Sequence, residues 1–282
     1  MANTDKPLIL VDGSSWLYRA FHALPPLSSP RGEPTGAIYG MGNMMRRLLK
    51  DYAPEHIGVI FDPRGKTFRH DIYADYKANR PPVPEELSSQ FPPLRRLLET
   101  MGLPVLQIDG VEADDVIATL SRAAARDGKT VLIVSGDKDL AQLVGPGVKL
   151  LDTMKQSTLD ADGVREKYGV TPEQIVDWLT LMGDTSDNIP GIDGVGPKTA
   201  AKWLEQYGTL DALMAAADEI KGKAGERLRG ALEMLPRSRE LATVRDDVEL
   251  PAEWHEWQAL TPSAADSAAL AEMYRELGFT RW

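Results

Sequence analysis

Residues 110–124 read GVEADDVIATLSRAA, and three carboxylates, Glu112, Asp114 and Asp115, crowd its opening. Behind them Val116, Ile117, Leu120 and Ala124 recur at the spacing of an amphipathic helix. The acids therefore stand at the mouth of that helix, where the macrodipole favours negative charge. One acid there is an ordinary cap. Three repel one another, and a bound cation relieves the repulsion. From this stretch alone, capping and metal ligation both stay open.

Reading outward, short apolar runs alternate with helical patterns. PLILV (residues 7–11) ends in Asp12-Gly13-Ser14, HIGVIF (56–61) ends in Asp62, and TVLIV (130–134) runs into Ser135-Gly136-Asp137-Lys138-Asp139. Helical spacing covers Trp16 to Ala23 and Ala37 to Lys50, with a loop rich in Pro, Ser and Gly from Pro25 to Pro34. Strands alternating with helices predict an α/β fold whose parallel sheet is covered on both faces. Ligands of such sheets gather outside the carboxyl ends of the strands. Asp12, Asp62, Asp137 and Asp139 then share one rim with the 112–115 cluster. Turns favour Asp, but three strands ending this way beside GVEADD predict a divalent-metal rim. Its donors are all oxygens with no histidine among them, which selects Mg²⁺ or Mn²⁺ over zinc.

Lys66 to Ala78 has helical character, with Arg69, Tyr73, Tyr76, Lys77 and Arg80 on one predicted face and Pro81, Pro82 and Pro84 closing the segment. A basic face interleaved with aromatics suits a single nucleic-acid strand. Taken by itself, a solvated surface helix with two inward tyrosines explains the pattern equally well.

From Thr171 the texture is helical to about Met182. Residues 183–208 then read GDTSDNIPGIDGVGPKTAAKWLEQYG. Asp184 and Asp187 add two acids. Gly191, Gly194 and Gly196 permit a tight hairpin, and Pro197-Lys198 opens a helix from Thr199 to Tyr207. A hairpin leading into a helix N-terminus grips a phosphate with backbone N–H groups rather than a large basic patch. Further helices are expected over Leu210–Ala217, Gly225–Leu235 and Ser267–Leu277, with Trp254, Trp257 and Trp282 in core or interface.

Composition excludes several classes. The 282 residues are long enough for a large core, and 43% hydrophobic with 26% charged content describes an ordinary globular chain. Zero cysteines remove disulfides, zinc-thiolate sites and thiol nucleophiles. No apolar run is long enough for a membrane helix, and the N-terminus lacks a secretory pattern. With 32 basic against 42 acidic residues the net charge is −10, which opposes broad polyanion binding unless the acids are committed to metals.

LILVDGSSWLYRAFHAL (8–24), FRHDIYADYKANRPPVP (68–84), GVEADDVIATL (110–120), SGDKDLAQLV (135–144) and GDTSDNIPGIDGVGPKTAAKWL (183–204) together resemble the bacterial 5′-nuclease (flap endonuclease) family. The resemblance is strong from Leu8 to Tyr207 and looser beyond. It implies a PIN-like core over 1–170 with a parallel central sheet, a helical arch or clamp at about 63–95, and a helical subdomain over 171–282 carrying a helix–hairpin–helix at about 183–208. It implies two Mg²⁺ ions, replaceable by Mn²⁺. The first site would draw on Asp12, Asp62, Glu112, Asp114 and Asp115, and the second on Asp137, Asp139, Asp184 and Asp187. A K⁺ ion in the hairpin, near Ser186 and the 191–196 carbonyls, belongs to the same resemblance.

Lys77 would touch the scissile phosphate and Arg80 would support the 5′ strand, with Tyr76 and Arg69 beside them. Gly191, Gly194, Gly196 and Lys198 would hold the duplex. The implied activity is hydrolysis of DNA, or of RNA primers on DNA, at 5′ flaps, ends and single-strand/duplex junctions by a monomer in the bacterial cytoplasm, associated with the nucleoid and making no membrane contact. The closing GFTRW suggests continuation into a polymerase region. Two rivals remain: an inert module recognising branched DNA, and a phosphatase for small molecules, since Asp-x-Asp after a strand also occurs there.

Overall fold

Every residue of Leu8–Asp12 (β1) is buried, and its side chains divide between two cores: Leu8 and Leu10 join one, Ile9 and Val11 the other. Successive side chains of a strand point to opposite faces, so a strand covered on both is apolar throughout. The computed structural model describes residues 6–153, 157–280 and 282. Among these, β1 lies inside one six-stranded sheet with His56–Phe61 (β2), Val105–Gln107 (β3), Val131–Val134 (β4), Val148–Asp152 (β5) and Ser157–Leu159 (β6). The order is β3-β2-β1-β4-β5-β6.

The first five strands are parallel, but β6 runs antiparallel to β5, so the sheet is mixed rather than parallel as expected. Only residues 153–156 separate β5 from β6, far short of the dozen or so that a parallel crossover needs.

One face is covered by Gly13–Ala23 (α1), Gly36–Tyr52 (α2), the short Glu85–Ser88 (α4) and Phe91–Thr100 (α5), while the short Phe68–Ile72 (α3) lies against the opposite core, where Ile72 packs. Of these, α1, α2 and α5 supply Trp16, Ile38, Met41 and Leu94 to the core on that side. The other face takes Ala113–Arg126 (α6), whose Val116, Ile117, Leu120 and Ala124 are the periodic residues read in the sequence. Ala161–Tyr168 (α7), Ile175–Met182 (α8), Pro197–Tyr207 (α9), Leu210–Ala215 (α10), Gly222–Ala231 (α11) and Leu235–Ala242 (α12) extend this second core.

The chain then doubles back. Val248 N donates to Thr119 Oγ1 (3.1 Å), Trp257 Nε1 to Asp127 Oδ2 (2.8 Å), and Ile57 N to Leu260 O (2.8 Å). Ser267–Leu277 (α13) finally returns Met273 and Leu277 to the first core. Trp257 is buried, and Trp282 packs on Tyr39 and Phe279, in keeping with a packing role.

No helix spans Lys66 to Ala78. Only Phe68–Ile72 is helical; Tyr73 is extended at φ −145° and Lys77 is left-handed at φ 57°. The expected helical arch over 63–95 is therefore a short helix, a run of turns, a second short helix and the start of α5. Tertiary hydrogen bonds override the local propensity. Lys77 N donates to Asp187 O (2.9 Å), Asn79 Nδ2 to Thr185 O (2.6 Å), and Asn188 Nδ2 to Asp75 O (2.7 Å), stitching the two loops together.

Candidate active site

β1 is flanked by β2 on one side and β4 on the other, so the connections leave in opposite directions and open a crevice at the carboxyl ends. Asp12 stands there as the last residue of β1 and the N-cap of α1, accepting from Ser15 N (2.9 Å) and Ser135 Oγ (2.7 Å). Asp62 follows β2; its Oδ1 accepts from Ala113 N (2.9 Å) and its own N–H donates to Ser14 Oγ (2.9 Å). Glu112 caps α6 and Asp114 lies in its first turn. Strand ends and a helix mouth thus present Asp12, Asp62, Glu112 and Asp114 on one rim.

A second group adjoins it. Asp137 N donates to Ser135 Oγ (3.0 Å), and Asp137 Oδ1 accepts from Asp139 N (3.0 Å). Asp184 accepts from Ser186 N (2.7 Å) and Asp187 N (3.1 Å), while its backbone exchanges hydrogen bonds with Ile189. Lys138 Nζ, which the sequence argument had passed over although it lies between two of the acids, donates to Asp184 and lies 3.2 Å from Asp139 Oδ1.

The 73–80 turns lie over the junction of the two groups. Lys77 Nζ donates to Glu112 Oε1 (2.8 Å) and lies 3.7 Å from Asp187 Oδ2, so it touches one acid of each. Arg80 donates to Asp187 and to Ser186 O (3.1 Å). These contacts also set protonation. Burial lowers the pKa of Lys77, but Glu112 and Asp187 outweigh it and the ammonium is raised above its ordinary range. Burial works the other way on Asp187, yet Lys77 and Arg80 hold its carboxyl below the usual range. A cavity of about 790 Å³ opens beside Lys77, Arg80, Glu112 and Asp62.

Two expected strand contacts require correction. Tyr76 is 2% exposed, and its hydroxyl lies within hydrogen-bond reach of Glu112 (3.1 Å) and Asp187 (2.9 Å), so it braces acids and offers no free ring face for stacking. Arg69 is also 2% exposed. Its guanidinium makes two 2.8 Å bonds to Asp115, and it donates to Leu241 O (3.0 Å) and Thr243 O (2.9 Å). A side chain so committed has no guanidinium edge free at the surface for a phosphate.

The same geometry commits Asp115 to a buried ion pair rather than to the open rim. It is fully buried and also accepts from Glu112 N (3.0 Å) and Arg245 N (2.9 Å). It acts on the rim by orienting Glu112. The sequence showed only the type and spacing of this acid; its partner lies 46 residues away.

Among the described residues no three of these acids already close around a common cation position. They are nonetheless short of positive charge. Burial, with Asp62 and Asp137 adding to it and the Ser15 and Ser135 hydrogen bonds opposing, pushes Asp12 up to about 7. Burial and then Asp137 push Asp139 up to about 7 against the pull of Lys138. Asp114 is raised by burial and by Asp137, Asp12 and Asp62. Asp139 Oδ1 is buried without a hydrogen bond of good geometry. An all-oxygen set of this kind fits a hard divalent cation.

A stability test follows. The folded protein holds protons on Asp12 and Asp139 that carboxyls at their ordinary 3.8 have already released in the unfolded chain. That contribution is complete below the unfolded value and is lost as pH rises through the folded one. Without divalent cations the melting temperature is expected to fall between pH ~4 and ~7, and added Mg²⁺ should restore more of it at the upper end. A flat melting temperature across that window would remove the mutual repulsion of the acids.

The hairpin follows α8. A Cβ on Gly191 would lie 2.1 Å from Met182 C and 2.2 Å from Gly183 N, so only glycine allows this backbone approach. Gly194 takes φ 70°, Gly196 caps α9, and exposed Lys198 lies in the first turn of α9. The hairpin and the second acid group are therefore joined by the one segment from Asp184 to Gly196.

Two family models match the chain: 5′-3′ exonuclease, N-terminal resolvase-like domain, over residues 7–169, and 5′-3′ exonuclease, C-terminal SAM fold, over residues 170–265. DNA polymerase I of Pseudomonas aeruginosa is 48% identical over 284 residues, covering 98% of this chain and 31% of that protein. The corresponding protein of Bacillus caldotenax is 45% identical over 282 residues, covering 97% and 32%. The chain thus spans about a third of the length of the curated relatives it matches.

Among solved structures, T5 5′-exonuclease with bound divalent metal ions (zinc) superposes with TM-score 0.70 at 25% identity, covering 83% of this chain and 88% of that one. A bacteriophage T5 flap endonuclease in complex with DNA and metal ions gives TM-score 0.70 at 23% identity over 96% and 98%, a likeness of fold.

Proposed function

The chain belongs to the 5′-3′ exonuclease family, and from that premise we propose that it is the nuclease part of a longer bacterial protein, hydrolysing phosphodiester bonds at 5′ flaps, 5′ ends and single-strand/duplex junctions of DNA, RNA primers on DNA included. The single observation that carries the reading is Lys77, whose ammonium bridges one acid of each group at the crevice. A cation poised between two carboxylate clusters suits a reaction in which a phosphate must approach all three.

We assign the metal sites to Asp12, Asp62, Glu112 and Asp114 on one side and Asp137, Asp139, Asp184 and Asp187 on the other. Two divalent cations held there supply Lewis-acid stabilisation of the attacking and leaving oxygens. The T5 relative was solved with zinc; the rim acids here, with no histidine among them, favour Mg²⁺, with Mn²⁺ as substitute. A K⁺ ion at the hairpin carbonyls of 191–196 completes the proposed set.

The chain's own groups do the rest. Lys77, released from Glu112 and Asp187, stabilises the charge developing on the phosphoryl oxygens. Arg80, half exposed, turns to the neighbouring phosphate of the 5′ strand. Gly191, Gly194, Gly196 and Lys198 present the α9 N-terminus to the duplex backbone. Asp115 and Tyr76 hold Glu112 in place throughout. The core is read as PIN-like over 1–170, with the helical part from 171 onward engaging duplex. The acidic balance agrees with this division, since most of the rim acids serve cations and only local surfaces meet DNA. The names of the relatives support continuation into a polymerase region and a bacterial source; a DNA substrate would place its action at the nucleoid, in the cytoplasm.

The test is cleavage of a 5′-labelled flap DNA with Mg²⁺ and with EDTA, beside an unbranched duplex and a single strand. Cutting near the junction, abolished by EDTA, is expected. Retained flap binding with no cutting under either condition would replace the nuclease by an inert recognition module.

A further inference from the structure

Lys138 is a rim cation that neither the motifs nor the proposed chemistry employs. It lies between Asp137 and Asp139 in sequence, and its ammonium faces across to Asp184 on the loop that follows α8. It hydrogen-bonds Asp184 and lies 3.2 Å from Asp139 Oδ1, an oxygen otherwise without a hydrogen-bond partner. Both acids belong to the second of the two proposed cation sites. Its side chain is 38% exposed, so a flexible stem can carry the ammonium out into solvent.

We propose that Lys138 is a tethered counter-cation of the second site, competing with a divalent ion for Asp139 and Asp184. The inference rests on the two-site reading above and adds to it a positioning residue. Two carboxylates brought this close repel unless a positive charge stands between them. In the metal-free protein Lys138 provides that charge, and the second ion binds only by expelling it. The two sites are then unequal: Lys77 is shared, touching one acid of each group, whereas Lys138 touches acids of the second alone and is built into that group's own loop.

A merely structural lysine and a competing lysine differ in the sign of one measurement. If Lys138 only holds the loop together, its loss weakens cation binding. If it competes, its loss strengthens it. Mn²⁺ titrated into the metal-free protein, with free ion followed by electron paramagnetic resonance, separates a tighter and a weaker class. In Lys138→Met the weaker class is expected to tighten by about tenfold or more, with the tighter class shifting less than about twofold. Lys138→Arg keeps the charge and should remain near wild type.

Lys138→Gln serves the same comparison should circular dichroism show the methionine variant unfolded. Unchanged or weaker binding in the neutral variants, with two classes still present in wild type, overturns the competition and leaves the two-site reading standing. Absence of Mn²⁺ binding in every variant and in wild type overturns both.

Discussion

Asp137→Asn is expected to slow cleavage of a 5′-flap DNA by about a hundredfold or more, while the metal-free protein melts at a slightly higher temperature. The two effects share one cause. Asp137 accepts from Asp139 N through Oδ1, a role an asparagine carbonyl also fills, so the loop keeps its shape. What disappears is a negative charge that raises the pKa of Asp12, Asp114 and Asp139. Without a cation that charge is a liability, and its removal relieves repulsion. With cations it serves, on the proposed assignment, as a ligand, and its removal weakens the centre. Single-turnover rates and melting curves on the same preparation check both halves. A wild-type rate would take Asp137 out of the reaction, and a lower melting temperature would show that it also supports the loop.

Arg69→Met is expected to cost about 3–5 kcal/mol of folding stability, the usual range for breaking a buried ion pair from one side. Its guanidinium holds Asp115 by two 2.8 Å bonds and ties Leu241 and Thr243 to the α3 region. Removal strands a fully buried carboxylate and frees two backbone carbonyls. Asp115→Asn is expected to destabilise as well, since an amide leaves the buried guanidinium without its countercharge. Replacing both partners by apolar residues should recover part of the loss, because no charge is then left buried alone. Equilibrium urea unfolding measures each step. A loss under about 1 kcal/mol for Arg69→Met would place the pair among weak surface contacts.

The division between what sequence reveals and what it withholds follows the range of the interactions. β1, β2 and β4 are legible because a strand covered on both faces must be apolar at every position, and the acid after each is a local signal. The mouth of α6 is legible for the same reason. β3 and β6 are only three residues each and carry no pattern of their own. The 66–78 segment has helical periodicity, yet hydrogen bonds to residues 185 and 187, far along the chain, fold it into turns. Arg69 and Asp115 each match a functional residue type, and only their pairing across the fold separates them from the residues facing the crevice. Lys138 sits in plain view in SGDKDL, but its significance depends on Asp184, 46 residues further on.

The return of the chain after α12 has a consequence for biosynthesis. Leu260 packs beside Gly58 and accepts from Ile57 N, Arg245 N reaches Asp115, and α13 closes the core laid down by α1, α2 and α5. A polypeptide emerging from the ribosome therefore carries its central strands long before the segments that seal them. Contacts of such sequence separation make the closing step slow, and translation at roughly 5–20 residues per second sets how long the apolar strands wait. During that interval the unsealed sheet is the part of the nascent chain most in need of a chaperone, and a message truncated before codon 260 yields a product whose β2 lacks its last backbone partner.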